Sequence, residues 1–450
     1  ALAELRETGA VTLEAAADNG GWITVCHPGA TPPRPALIRG EHDAEPIDDL
    51  LAWDQAGRWV VTREQGKPML VDVITGDRTD LAALGFDDRD DALDRRPHRA
   101  LAFDPRGEVL AYVRRRGAPE LVLRARPGGD ERLVKALPGE PWRMTWDQNG
   151  ETLVVSVIAE DTTKNGSLDF PVRRRVAPRL ACSGLLPKFR IGPEVGDRPT
   201  TVLVSRDGAS VTLAPDFVAP FGRGFIARGR DGALSLVRGT VRQPLADAEC
   251  LGRVLVADPS RSLALVSCTN DKPPPAPNGT KRPKRVGVEL VGVGYRQELG
   301  VVVQPMALDR WPEMPRRLVP IYPGMETMLI DLDQRRALTL KPGDRVLATS
   351  GAHALVRRER ALLAFDADQS TETPLVQNVA PFAGLVVSGS LAAVGTTLLD
   401  AAVPRVVGTL PGRPLLLTPS GDALVAEGGT ASADAFARGP LRWHRATAPK

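Results

Sequence analysis

One short unit recurs along this chain and limits what it can fold into. Leu51-Ala52-Trp53-Asp54-Gln55-Ala56-Gly57-Arg58-Trp59-Val60-Val61 is its first copy. Leu101-Ala102-Phe103-Asp104-Pro105-Arg106-Gly107-Glu108-Val109-Leu110-Ala111-Tyr112 is the second, and Met144-Thr145-Trp146-Asp147-Gln148-Asn149-Gly150-Glu151-Thr152-Leu153-Val154-Val155 the third. Each is an apolar run, an aromatic residue, Asp, two turn-compatible residues, Gly and another apolar run. The runs are short and rich in β-formers, so they read as strands. Asp bonds the backbone ahead of it and starts a turn, and Gly supplies the positive φ that closes a hairpin with a bulge.

A second strand pair follows each hairpin. After Val61 come Met69–Val73 and a turn at Thr75-Gly76-Asp77; after Tyr112 come Glu120–Leu123 and a turn at Pro127-Gly128-Gly129-Asp130. Trp53, Phe103 and Trp146 stand 50 and 43 residues apart. Four strands in that span is the period of a propeller blade. Further strand-and-turn signals at Val202–Gly208, Arg230–Gly232, Leu255–Ser260, Met328–Asp333, Leu363–Asp368 and Leu416–Val425 continue the pattern. The expected fold is all-β: a propeller of four-stranded antiparallel blades, seven or eight in number, with long loop excursions. The 450 residues form one domain on this reading. The run Val11–Ala15 supplies the strand missing from the last blade and closes the ring, which removes exposed edges.

Asp104-Pro105-Arg106-Gly107-Glu108-Val109-Leu110-Ala111-Tyr112, with Glu120–Leu123 and Gly128–Asp130, resembles the repeat of TolB-type, WD40-like propellers. Asp104 and Arg106 stand where that family usually has Ser and Asp. The resemblance covers residues 50–155 well and others in patches. It implies a fold alone, because such propellers serve as envelope scaffolds, peptidase domains and enzymes.

Three stretches interrupt the blades: 160–199, 270–285 and 304–324. All are rich in Pro, which cannot donate to a sheet ladder, so they read as surface excursions that carry contacts. Trp311 is the candidate anchor for a partner. Lys281, Arg282, Lys284 and Arg285 form one basic run, and Arg173, Arg174 and Arg175 another. The plain reading of such runs, with Arg114–Arg116 and Arg357-Arg358, is charge that keeps strand edges soluble. The sharper reading is docking to an acidic protein or anionic headgroups.

The sequence holds no Gly-x-Ser-x-Gly elbow, Walker loop, dinucleotide fingerprint or His-Glu-x-x-His. The five His are scattered, and Asp87–Asp91 departs from calcium-loop spacing. No catalytic, metal or cofactor-binding residue is assigned. A net charge of +3 gives no bulk reason to bind nucleic acid. Thr373–Leu399 is uncharged, but Gly and polar residues divide it into strand-length runs, so no transmembrane segment is expected.

Four cysteines permit two disulfides. A hairpin turning near Pro259 or Ser260 puts Cys250 and Cys268 on one face, within bridging range when directly opposed. Cys26 and Cys182 pair only if the 160–199 excursion folds back on the first blade. The chain begins Ala1-Leu2-Ala3, without Met or a basic and apolar leader. With the cysteines, this reads as an exported protein, periplasmic or extracellular, whose targeting peptide has been removed. The function expected is a non-enzymatic interaction or scaffold subunit of the bacterial envelope or cell exterior, bound to other proteins there. The alternative is a propeller enzyme or carbohydrate-binding protein with its site at the central channel.

Overall fold

The structure is a computed structural model. It describes residues 10–17, 20–26, 34–39, 43–54, 57–86, 100–125, 130–147, 149–168, 172–175, 191–209, 211–222, 224–229, 233–246, 254–268, 285–303, 317–321, 327–380, 385–418, 420–427 and 441–445. Every element among them is a β-strand, and every pairing is antiparallel between strands close in sequence.

Sheet 1 holds β1 (Ala10–Ala17), β2 (Gly20–Cys26), β3 (Arg34–Arg39) and β4 (Asp43–Pro46). Sheet 2 holds β5 (Asp49–Trp53), β6 (Trp59–Glu64), β7 (Lys67–Asp72) and β8 (Arg78–Asp80). Sheet 3 holds β9 (Leu101–Phe103), β10 (Val109–Arg116), β11 (Ala118–Ala125) and β12 (Glu131–Ala136). Sheet 4 holds β13 (Glu140–Trp146) and β14 (Thr152–Ile158), then, after a separate hairpin of β15 (Val172–Arg175) and β16 (Ile191–Val195), β17 (Thr200–Ser205) and β18 (Val211–Leu213). Sheet 5 holds β19 (Phe217–Phe221), β20 (Gly224–Arg228), β21 (Leu234–Arg238) and β22 (Val241–Ala246).

Sheet 6 holds β23 (Val254–Asp258), β24 (Leu263–Cys268), β25 (Arg285–Gly292) and β26 (Tyr295–Val303). Sheet 7 holds β27 (Leu318–Ile321), β28 (Met328–Asp331) and β29 (Arg336–Thr339). Sheet 8 holds β30 (Arg345–Ser350), β31 (His353–Arg358), β32 (Ala361–Asp366) and β33 (Thr371–Val376). Sheet 9 holds β34 (Leu385–Ser388), β35 (Leu391–Val394), β36 (Thr397–Asp400) and β37 (Arg405–Thr409). Sheet 10 holds β38 (Gly412–Leu417), β39 (Asp422–Glu427) and β40 (Leu441–Arg445).

The fold is thus all-β, a propeller of small antiparallel sheets. The described residues form ten sheets of three or four strands where the spacing predicts seven or eight blades. The difference is one of pitch. Turns of two, two and four residues fit all of sheet 9 between Leu385 and Thr409, far less chain than the spacing of the three clear hairpins implies. Sheet 7 has three strands among the described residues. Arg317, just before β27, holds Asp331 at the end of β28, as Arg58, just before β6, holds Asp72 at the end of β7. By that correspondence β27, β28 and β29 are the second, third and fourth strands of a blade.

Apolar side chains between sheets build a chain of cores. Sheets 2, 3 and 4 share one around Tyr112, Leu121 and Leu153. Leu203 meets Phe225 between sheets 4 and 5. Clusters continue across each boundary to sheets 9 and 10, where Leu398 meets Leu417. Burying one such side chain contributes about 1.5–3 kcal/mol. First strands of neighbouring sheets lie together: β5 by β9, β9 by β13, β19 by β23, and β30 by β34 by β38. Most of the first strands are bulged against their partners, as at Leu50/Ala52 and Val346/Ala348, which adds the local twist a curved ring needs.

Val11–Ala15 lies in β1, paired with β2 in sheet 1. A connection of two residues favours that local pairing over a strand donated to the far end of the chain. β1 also lies beside β38, so the first and last sheets meet. The 304–324 excursion contains a strand, β27, in which Pro320 pairs with Leu329. Leu332 N–H donates to Arg317 O, so by alternation Pro320 turns its backbone nitrogen away from β28, its strand's one partner among the described strands. Thr373–Leu399 forms strands too, and no helix among the described residues is long and apolar enough to cross a membrane.

Candidate functional site

Each sheet has two ends. One carries the turns between first and second and between third and fourth strands; we term it the turn rim. The other carries the remaining connections and the crossings between sheets; we term it the entry rim. The 160–199, 270–285 and 304–324 segments follow β14, β24 and β26 and so leave from the entry rim.

On the turn rim the repeated Asp is buried. Asp54, Asp104 and Asp147 are at most 3% exposed. Asp54 Oδ1 accepts Trp59 N–H at 3.0 Å. Asp104 Oδ1 accepts Glu108 and Val109 N–H at 2.6 and 2.8 Å, and Asp147 Oδ1 accepts Glu151 and Thr152 N–H at 2.7 and 3.1 Å. These carboxylates satisfy turn amides that would otherwise be buried unpaired. Thr418 does the same in sheet 10, accepting Asp422 N–H through Oγ1 at 3.0 Å. Burial pushes the Asp54 carboxyl up to about 6 and also raises that of Asp147.

The turns of successive sheets touch. A Cβ on Gly107 would come within 2.5 Å of Asp54 Oδ2. Arg106 Nη2 donates to Asn149 O at 3.0 Å and to Glu151 Oε1 at 3.1 Å. From sheet 4, Arg206 reaches back to Glu108 at 2.5 Å and to within 3.3 Å of Asp104 Oδ2, unaligned for a hydrogen bond. Sheets 6, 7 and 8 are laced likewise: Arg261 joins Asp258 and Asp333, and Arg317 joins Asp331 and Asp368.

A cleft of about 760 Å³ opens on this rim over sheet 4, between sheets 3 and 5. Its charged walls are Asp130, Arg132, Glu151, Arg206 and Asp207; Leu203 and Phe225 supply apolar surface. Arg132 Nη1 donates to Asp207 O at 3.4 Å. Asp207 accepts Ser205 Oγ–H at 2.6 Å and Ala209 N–H at 2.9 Å, which hold its carboxyl below the usual range. Among the described residues the lining contains no His, Cys, Lys or Tyr. This arrangement can hold a polar ligand by fixed hydrogen-bonding groups set around an apolar patch. Among the described residues no three His, Cys, Asp or Glu gather as metal ligands would.

The residues singled out from sequence lie elsewhere. Trp311, Lys281, Arg282 and Lys284 fall outside the described residues. Arg285 opens β25, and Arg173, Arg174 and Arg175 lie in β15, where Arg173 is opposite Glu194. The other basic runs are bound up in ion pairs: Arg114 with Glu120 and Glu131, Arg115 with Glu140, Arg358 with Asp344 and Glu372. Cys182 and Cys250 also fall outside the described residues, while Cys26 ends β2 and Cys268 ends β24. Beside the turn, Asp258 pairs with Leu263, one residue off the register centred on Ser260 and three off the one centred on Pro259; a bulge then sets Val254 opposite Val266, in the register centred on Ser260. That is the register in which Cys250 and Cys268 are expected as diagonal neighbours, and Cys250 itself lies outside the described residues. Arg132, Arg206 and Asp207 were not legible as site residues. Arg206-Asp207-Gly208 reads only as a turn, and its signal is an arginine where a turn needs none.

No protein-family model matches this sequence, and no curated protein does. Among solved structures the chain is similar to an acylaminoacyl peptidase of Pyrococcus horikoshii, at 9% identity over 88% of this chain and 58% of that one, TM-score 0.36. It is similar to a prolyl endopeptidase at 10% identity, over 82% and 55%, TM-score 0.35. It is also similar to TolB from Acinetobacter baumannii, at 12% identity over 82% and 64%, TM-score 0.24. The chain spans under two thirds of each of these. The likeness is one of fold, and at that level the TolB-type resemblance of the repeat holds.

The expectation of a non-enzymatic scaffold is corrected by these comparisons. It takes a propeller without a catalytic motif to be a binding platform. Propellers similar to this one occur in peptidases, so the fold gives no ground for setting enzymes aside.

Proposed function

We propose that this chain is a ligand-binding propeller, serving as part of an enzyme or as a carbohydrate-binding protein, with the turn-rim cleft as its site. The observation that supports the reading is the cleft itself, whose volume of about 760 Å³ suits a small ligand. Opposed charges and hydroxyls line it beside Leu203 and Phe225, a mixture that suits a ligand with both polar groups and apolar faces. We place the protein in an oxidising compartment outside the cytoplasm, a reading supported by the spacing of Cys250 and Cys268.

Calorimetric titration with a panel of oligosaccharides and short peptides tests the function. A ligand should bind, and Arg132→Ala, on an exposed wall, should weaken it about tenfold, the effect of a lost charge-assisted hydrogen bond. Binding that Arg132→Ala and Thr212→Val both leave unchanged would place the site elsewhere.

A further inference from the structure

Two hydroxyls at the turn-rim cleft have their direction fixed. Ser205 Oγ–H donates to Asp207 Oδ1 at 2.6 Å, and Thr152 Oγ1–H to Gly222 O at 3.3 Å. A carboxylate and a carbonyl only accept, so each hydroxyl has given its single hydrogen to the protein. What both still offer a ligand is lone pairs. Asp147 holds the Glu151 and Thr152 amides through Oδ1. It is 3% exposed, and its Oδ2 has no hydrogen-bond partner among the described residues. A buried oxygen left so is costly, and this wall of the cleft is short of donors.

The charges at the cleft divide into matched and unmatched. Arg206 is taken up by Glu108 and Asp104, and Glu151 accepts from Arg106. Asp130 has no hydrogen bond or ion pair among the described residues. The Asp207 carboxyl is held below the usual range by Ser205, by Ala209 N–H and by the nearby Arg132, so it stays charged. Arg132 makes one hydrogen bond among the described residues, from Nη1 to Asp207 O at 3.4 Å, which leaves its other N–H groups to donate. Two carboxylates and one guanidinium are therefore unmatched. The apolar wall is aliphatic, with Leu203 and the half-buried Val109 and Val237. Phe225, the one aromatic among the described lining residues, is 6% exposed. A hydrocarbon stem finds surface here, and a flat ring finds no open aromatic face to stack on.

We propose that the cleft takes the basic side chain of a peptide, lysine or arginine. Asp130 and Asp207 hold the cation, together with the lone pairs of Ser205 and Thr152. Its methylene stem lies along Leu203, Val109 and Val237, and a backbone carbonyl of the same peptide accepts from Arg132. An anionic side chain would instead meet two unmatched carboxylates. The inference rests on the cleft reading and narrows it to one class of ligand.

Calorimetric titration of the whole chain with capped pentapeptides Gly-Gly-X-Gly-Gly tests it, X being lysine, arginine, norleucine or glutamate. The lysine or the arginine peptide should bind. The norleucine peptide keeps the stem without the ammonium and should bind at least about tenfold more weakly. Asp130→Asn, at an exposed residue, should weaken the basic peptide about threefold to fivefold with an unchanged melting temperature. Asp207→Asn keeps an oxygen for Ser205 and Ala209 and should weaken it about tenfold. Norleucine or glutamate bound as tightly as lysine and arginine overturns the proposal, as does a basic peptide indifferent to both substitutions. n-Butylamine bound as tightly as the lysine peptide overturns the peptide assignment, because the contact with Arg132 would then contribute nothing. An oligosaccharide that binds and depends on Arg132 while all four peptides fail removes this inference and leaves the cleft reading standing. Failure of peptides and oligosaccharides alike removes both.

Discussion

Gly107 shows how closely the blades are joined at single residues. Its φ is +64°, a conformation that costs a side-chain-bearing residue roughly 1–2 kcal/mol. A Cβ there would also meet the Asp54 carboxylate at 2.5 Å. Gly117 shares the positive φ, at +91°, but has open space around it. Gly107→Ala should therefore destabilise more than Gly117→Ala, by a further ~1–3 kcal/mol of overpacking, as read by chemical denaturation. Equal losses would mean that the turns of sheets 2 and 3 do not touch. Asp54 itself is the residue to titrate. Burial lifts its carboxyl from 3.8 to about 6 in the folded chain. The folded form binds that proton more tightly than the unfolded form, so the contribution is whole below pH 3.8 and lost as pH rises through about 6. Asp54→Asn keeps an oxygen for the Trp59 amide and removes the titration. Relative to wild type it should gain stability between pH 4 and 7, by about 2–3 kcal/mol at 1.36 kcal/mol per unit. A difference in melting temperature that stays flat across that range would contradict the assignment.

At the scale of elements, the aromatic residue before each Asp closes the first strand of its sheet. Trp53 ends β5, Phe103 ends β9 and Trp146 ends β13. Trp146 is buried and donates Nε1–H to Ala102 O of sheet 3 at 3.2 Å. Trp146→Ala should cost about 3–5 kcal/mol. Arg106→Ala removes an exposed pair and should cost under about 1 kcal/mol. Thermal melts compare them, and similar losses would undo the equivalence of the repeat. These hairpins were legible because their turn chemistry is local: Asp, turn residues and Gly within one stretch. The later sheets were less so because Asp ends third strands as well, as at Asp72, Asp366 and Asp400, where it caps the following turn. Thr418 then takes the role of Asp in sheet 10. The cleft was not legible at all, since its walls come from three sheets and spacing cannot report which turns converge. The cysteine pair is testable at this scale too. Non-reducing peptide mapping should recover Cys250 joined to Cys268, a loop closure worth roughly 3 kcal/mol; separately alkylated thiols would refute the bridge and weaken the case for export.

At the scale of the whole molecule, the two rims do different work. The turn rim is tied by buried carboxylates and by arginines that reach from sheet to sheet, and it carries the cleft. The entry rim is where the three long segments depart. This division depends on the sheets forming one closed ring, with sheet 1 beside sheet 10. Spin labels introduced as non-natural amino acids at Thr12 in β1 and Arg413 in β38, leaving the native cysteines untouched, measure that directly. A closed ring predicts one narrow distance near 20 Å, about 10 Å of sheet spacing plus the label tethers. A broad distribution reaching toward the roughly 50 Å breadth of a folded chain this long would show an open arc and contradict it.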